Sequence, residues 1–261
     1  MFHYCTSFNQ PVNDWNTGNV TTMRSMFNGC ASLNQPLDNW DVSNVTDMAY
    51  MFSGCTNFDQ PLNDWDVSNV TNTGFMFNNC TNFNQPLDSW DVSSVTNMAT
   101  MFQLCSSFNQ NLNSWDTSNV TSMAFVFYGC KVFDQPLDKW DTSNVISMKS
   151  MFNSCESFNQ NLNSWDVSNV TNMYSMFYGC KVFDQPLDRW EVGLVENMRT
   201  MFWNAHTFNQ DVSGWDTSSC QDMGYMFYSC WKFDQPIGKW DVSNVTDMSN
   251  MFRSANVFNQ P

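Results

Sequence analysis

The chain predicts an α/β repeat, a right-handed solenoid whose 25-residue coils each carry one short parallel strand and one helical or 3-10 turn. Three observations carry that expectation. First, "FDQPLNDWDVSNVTNTGFMF" at 58–77 returns as "FNQPLDSWDVSSVTNMATMF" at 83–102 and "FNQNLNSWDTSNVTSMAFVF" at 108–127. Counted from Met1, the 261 residues give ten full units and an eleven-residue remainder, with no insertion or deletion. Self-similarity at a fixed period of this length marks a stacked array. Second, the unit Met76–Thr100 has nine apolar positions (Met76, Phe77, Cys80, Phe83, Leu87, Trp90, Val92, Val95 and Met98), too few to fold alone but enough to share a core with neighbours. Third, the apolar spacing changes inside the unit.

Taken in order, Leu87–Val92 is short and β-rich, with Trp90 and Val92 alternating, and is assigned the strand. Asp91 and Ser93 follow as turn formers. Val95, Met98, Met101, Phe102 and Cys105 then recur at steps of three, three, one and three, a helical or 3-10 stripe. Gly follows that stripe in "MFSGC" and "VFYGC", as a helix stop would require. Pro36, Pro61, Pro86, Pro136, Pro186 and Pro236 keep the helical turn from running into the strand. Parallel strands would pair at about 4.8 Å per coil. The alternative is an all-β solenoid in which "VTNM" forms a second strand. The expected organisation is one solenoid over 1–261, ten coils and a partial eleventh. With Met1 in phase with Met26 and Met51, and no atypical polar coil at either end, it reads as part of a longer chain or as one whose ends a partner covers.

Composition narrows the function classes. The formal charge is −15, with ten Lys and Arg, so the surface repels phosphate backbones and nucleic acid is not expected as a partner. No apolar run approaches the roughly 18 residues of a membrane span, and no leader-like segment opens the chain. Aromatics at 16% and nineteen Met argue for order.

The string "FNQPL..WDVSNVT.M..MF.GC" resembles the short-repeat bacterial surface proteins, the BspA-like leucine-rich-repeat family, over essentially the whole chain. The resemblance implies a leucine-rich-repeat-like solenoid on an exported or surface-anchored protein, extracellular or at the cell surface, with adhesion or recognition roles and no catalytic residues.

Four columns of identical residues invite chemical readings. Nine of ten cysteines share one phase, from Cys5 to Cys230. Ala205 and Ala255 fill the same slot, so the slot wants a small buried group, and the thiols are read as a free ladder; bridges between coils are the lesser reading. Asp41, Asp66, Asp91, Asp116, Asp141, Asp166, Asp216 and Asp241, with Glu191, are read as caps on the following turn, and a calcium ladder as the lesser reading. Gln10 to Gln260 recur in all eleven copies and are read as a buried amide ladder, each Gln bonding the next. "NVT" at Asn19, Asn44, Asn69, Asn119, Asn169 and Asn244 matches a glycosylation acceptor, but the turn there wants Asn anyway. His3 and His206 stand alone in sequence, and no nucleophile–base order, phosphate loop or cofactor fingerprint is present. No cofactor and no catalysis are expected.

Specificity should therefore sit at variable exposed positions. In the C-terminal half these become aromatic and basic: Tyr128, Lys131, Tyr178, Lys181, Trp203, Tyr228 and Trp231. They are the expected binding residues, for a protein or glycan surface. The alternative is a spacer or assembly element docking on neighbours through its ends.

Overall fold

In the computed structural model, which describes residues 1–260, the chain winds into stacked coils, one per 25-residue unit. The α/β expectation is overturned. Among the described residues there is no helix and no extended strand; parallel pairing is confined to isolated bridges, unbroken from Thr22↔Asp47 to Asp222↔Asp247, one residue per coil. Leu87–Val92 is not a strand. Trp90 N–H closes a turn on Leu87 O (3.2 Å), and Val95 N–H closes the next on Val92 O (2.8 Å).

The segment expected to be helical is instead a run of turns wired in two directions. In the second coil the N–H groups of Met48, Tyr50, Phe52 and Gly54 reach forward to the carbonyls of Asn72, Gly74, Met76 and Asn78 in the next coil, at 2.7–3.0 Å. The intervening N–H groups of Met51, Ser53 and Cys55 fold back on Met48, Tyr50 and Phe52. The apolar step of three comes from these successive turns. An α-helix would consume every N–H internally; here alternate groups are left to tie coil to coil. Left-handed residues make the alternation work: Tyr50 (φ 60°) and Gly54 (φ 77°) are the third residues of two such turns, where a type II turn needs positive φ. The glycine of "MFSGC" thus serves a turn and stops no helix.

The core is a set of columns. Phe77 lies 5.7 Å from Phe102 in the next coil, 4.3 Å from Phe83 and 6.3 Å from Trp90 across the core. Consecutive tryptophans stack from Trp90 to Trp115 (6.4 Å) and on to Trp140 (6.2 Å), in the offset geometry aromatic pairs prefer. Polar atoms are satisfied between coils. Trp90 Nε1 donates to Leu62 O (2.8 Å) and Cys80 Sγ to Phe52 O (3.0 Å). All ten thiols are free, and nine are buried, Cys5 being the exposed one.

Candidate binding surface

Phe77 and Trp90 meet across the core; Met76 is buried with them, while Asn78 on one side and Ser89 and Asp91 on the other reach the surface. The turn side carries the residues just before and after each Trp, with fifteen acidic and three basic groups. The bridge side carries the outward residues of the two-way turns and those just after each Cys, with four acidic and seven basic groups.

On the turn side the aspartates cap, as read from sequence. Asp91 Oδ1 accepts from Ser93 Oγ (2.6 Å) and Ser93 N–H (3.0 Å), and these bonds hold its carboxyl below the usual range. The "NVT" asparagines are tied into the turns: Asn69 Nδ2 donates to Ser43 O of the preceding coil (2.8 Å). The glutamine ladder differs from expectation. Gln60 Nε2 donates to Asn34 Oδ1 (2.8 Å), which also accepts Asp59 N–H (3.0 Å). The partner is thus the Asn or Asp before the preceding Gln, and only a residue with a short side-chain oxygen can take both bonds, which accounts for the invariant Asn/Asp–Gln pair. One coil departs from the pattern, with Glu191, Gly193 and Leu194 in place of Asp, Ser and Asn, and a shallow cleft of 650 Å³ opens there beside Arg189 and Gly214. Among the described residues, no three His, Cys, Asp or Glu are grouped to hold a metal.

The expected binding residues all fall on the bridge side, in three groups. Tyr178, Trp203 and Tyr228 form one stack, with centroids 5.6 and 4.4 Å apart. Lys181 pairs with Glu156 (2.6 Å), and Trp231 lies flat on His206 at 3.7 Å and 2°. His206, isolated in sequence, is thus part of this surface; burial, with Lys181 nearby, lowers its pKa. Tyr128 and Lys131 stand two coils away; Tyr128 has Phe125 beside it at 6.1 Å.

Several residues of this face escaped the sequence reading. Tyr225 stacks on Trp203 (5.0 Å). The guanidinium of Arg199 lies 5.1 Å from the Tyr225 ring and passes over Gly224 to pair with Asp222 (3.4 Å) and Asp247. Arg253 covers Tyr228 (5.8 Å), Lys149 lies over Phe125 and Tyr174, and Arg24 over Tyr50 (5.3 Å). A Cβ at Gly224 would stand 2.5 Å from Arg199, so that glycine makes room for the strap. The signal was present in the column just before each Met, which holds Tyr50, Phe75, Phe125 and Tyr225.

The profile of a family described as "Mycoplasma protein of unknown function, DUF285" matches residues 1–115, 101–199 and 185–261, and so the whole chain. No curated protein matches it. Among solved structures the chain is similar to one described as a TLR13–ssRNA13 complex, at 10% identity and a TM-score of 0.29, covering 93% of this chain and 45% of that one. It is also similar to an internalin from Listeria monocytogenes, at 9% identity and a TM-score of 0.21, covering 89% and 81%.

Proposed function

The chain belongs to the DUF285 family, and we propose that it is a non-catalytic recognition scaffold, binding protein or glycan surfaces outside the cell through its bridge side. The observation that supports this reading is the Tyr178–Trp203–Tyr228 stack with Arg253 at its end, where side chains differ from coil to coil while the core columns repeat almost unchanged. Core columns that repeat almost unchanged from coil to coil favour a binding scaffold over a catalytic site. A row of amphipathic rings beside cations suits contact with another surface. The resemblance to BspA-like surface proteins supports an extracellular setting.

The test is binding of the labelled chain to arrays of glycans and extracellular proteins, with Tyr178, Trp203 and Tyr228 replaced together by Ser. The expected outcome is loss of bound signal with an unchanged far-UV spectrum and melting temperature. Full binding by the folded variant would remove this face from the function.

A further inference from the structure

The coil that breaks the turn-side pattern leaves several groups without their usual partners. Elsewhere the acid after each Trp accepts the N–H of a serine two residues on, as Asp91 does from Ser93 (3.0 Å). Here Gly193 replaces that serine, and the Glu191 carboxylate accepts from no described group. Most coils follow with an asparagine that donates to the preceding coil, as Asn169 does to Ser143 O (2.7 Å). Leu194 stands in that slot, 52% exposed, so Ser168 O, the carbonyl at the same offset, takes no side-chain donor. Arg189 belongs to none of the ion pairs among the described residues. Gly214, in a column that elsewhere holds Lys139, Ser164 and Lys239, leaves open space, since a Cβ there would meet nothing within 4 Å. These six residues line the 650 Å³ cleft.

The bridge side carries the complementary groups. The core tryptophans each donate Nε1 to a carbonyl of the preceding coil, as Trp190 does to Leu162 O (2.9 Å) and Trp240 to Val212 O (3.0 Å). Trp231 lies outside the core, 47% exposed with one face flat on His206, and its Nε1 donates to no described group. Lys232 beside it is exposed and in no ion pair. Trp231 and Lys232 end a row of exposed apolar and basic pairs on every second winding, after Lys131 with Val132 and Lys181 with Val182. An exposed indole on a protein surface is satisfied by an apolar wall, an acceptor for its N–H and a cation over its ring. The cleft offers Leu194, Ser168 O and Arg189 for these, and Glu191 for the neighbouring Lys232.

We propose that the cleft receives Trp231 and Lys232 of a second copy of this chain, the two solenoids lying side by side with parallel axes. Charge selects this arrangement. Each copy carries −15, so turn side against turn side would oppose fifteen acidic groups to fifteen, and bridge side against bridge side would oppose seven basic groups to seven. Bridge side against turn side brings seven basic groups to fifteen acidic ones. Pitch supports it as well. Both sides repeat once per winding, at about 4.8 Å. Seating Trp231 in the cleft therefore carries Lys181 and Val182, two windings back, over the region of Asp138 and Asp166. The contact is heterologous: each copy keeps one free cleft and one free Trp231, so association continues into open rows. It uses the column after each Cys and does not depend on what the Tyr178–Trp203–Tyr228 stack binds.

The experiment is sedimentation velocity of the full chain over a wide concentration range, beside Trp231→Ser and Leu194→Asn. The unaltered chain should show a mass that climbs above 30.2 kDa with concentration and does not level off at the dimer. Each variant alone should associate at least about tenfold more weakly, as for loss of a central aromatic contact. Neither should lose melting temperature, since Trp231 is exposed and Leu194→Asn restores the residue that most coils use to bond the preceding coil. Mixed in equal amounts, the two variants should recover a one-to-one dimer and nothing larger, because one keeps the cleft and the other keeps the ring. A chain that stays monomeric at every concentration would overturn the proposal. So would association that survives in both variants, as stacking through the terminal coils would, or a mixture that remains monomeric.

Discussion

One backbone carbonyl shows how a coil is specified residue by residue. Leu62 O accepts Trp65 N–H of its own coil (3.1 Å) and Trp90 Nε1 of the next (2.8 Å); Phe52 O accepts Cys55 N–H (2.9 Å) and Cys80 Sγ (3.0 Å). Both lone pairs are used, one for the turn and one for the stack. Trp90→Phe keeps an aromatic face but removes the indole N–H and part of a buried ring system, leaving the second lone pair of a buried carbonyl unpartnered beside a cavity, and should cost about 2–4 kcal/mol in urea unfolding. That the cysteine slot wants a small buried group was legible from Ala205 and Ala255. Its bond to a carbonyl 28 residues back was not, because no local pattern marks that acceptor. Burial raises the thiol pKa of Cys80, Cys130 and Cys155. A raised folded pKa gives stability that is full below the unfolded value of about 8.5 and is lost as pH rises toward the folded one. The capping aspartates have the opposite sign: Asp41, Asp91 and Asp166 are lowered by their serine partners, and Asp247 to about 2 by Ser249 and Arg199. Their contribution is present above the unfolded value of about 3.9 and is lost as pH falls below it. Thermal melts across pH should therefore show a plateau from about 5 to 8 with decline on both sides. A thiol reagent on the native chain should label Cys5 at once and the other nine only on unfolding.

At the scale of the turn, the sequence misleads for a physical reason. Apolar steps of three and four are the mark of a helix, but a chain of turns with i→i+3 bonds leaves the same spacing. What separates them is the sign of φ at two positions per coil, and only glycine announces that sign. Where Gly29, Gly54, Gly129 and Gly179 stand, the left-handed turn was legible as a break; where Thr100 or Leu104 stands, it was not. Ser254→Gly, at an exposed left-handed position, should relieve about 1–2 kcal/mol of strain against about 0.5–1 kcal/mol of added chain entropy. The net expectation is a small gain in stability, read as a shifted urea midpoint. Gly129→Ala should go the other way. At φ 74° its new Cβ would lie 2.7 Å from Leu104 Cδ2, and a loss of about 1 kcal/mol or more is expected. Of the bridge side, Tyr178, Trp203 and Tyr228 were legible as aromatic departures at otherwise variable positions. Tyr225 and Arg199 were not, because each stands in a column of mixed residue types and the strap from Arg199 to Asp247 joins residues 48 apart.

For the whole molecule, the two-way wiring fixes what may vary. Forward bonds join residue i to i+24, as in Phe52 N–H to Met76 O, while Thr71 N–H bonds back 25 residues to Thr46 O. Both offsets hold only if every coil has the same length, which explains an array without one insertion or deletion. Charge and rings can change freely on the outside, which is how one side becomes acidic and the other aromatic over an unchanged core. Each coil touches chiefly its two neighbours, so stability should behave as a sum of coil and interface contributions. Removing residues 101–125 joins Thr100 to Val126 in phase and loses one coil and one interface. That variant should fold with the same far-UV spectrum and a particle about 4.8 Å shorter by small-angle scattering. Removing Gln103 alone deletes less but shifts every later bond in its coil, breaking the 24- and 25-residue offsets on both faces of that winding. It should destabilise far more than the 25-residue deletion, with a lower urea midpoint and a broadened transition. If the single deletion proved the milder of the two, coil length would not be the constraint that keeps the repeat intact.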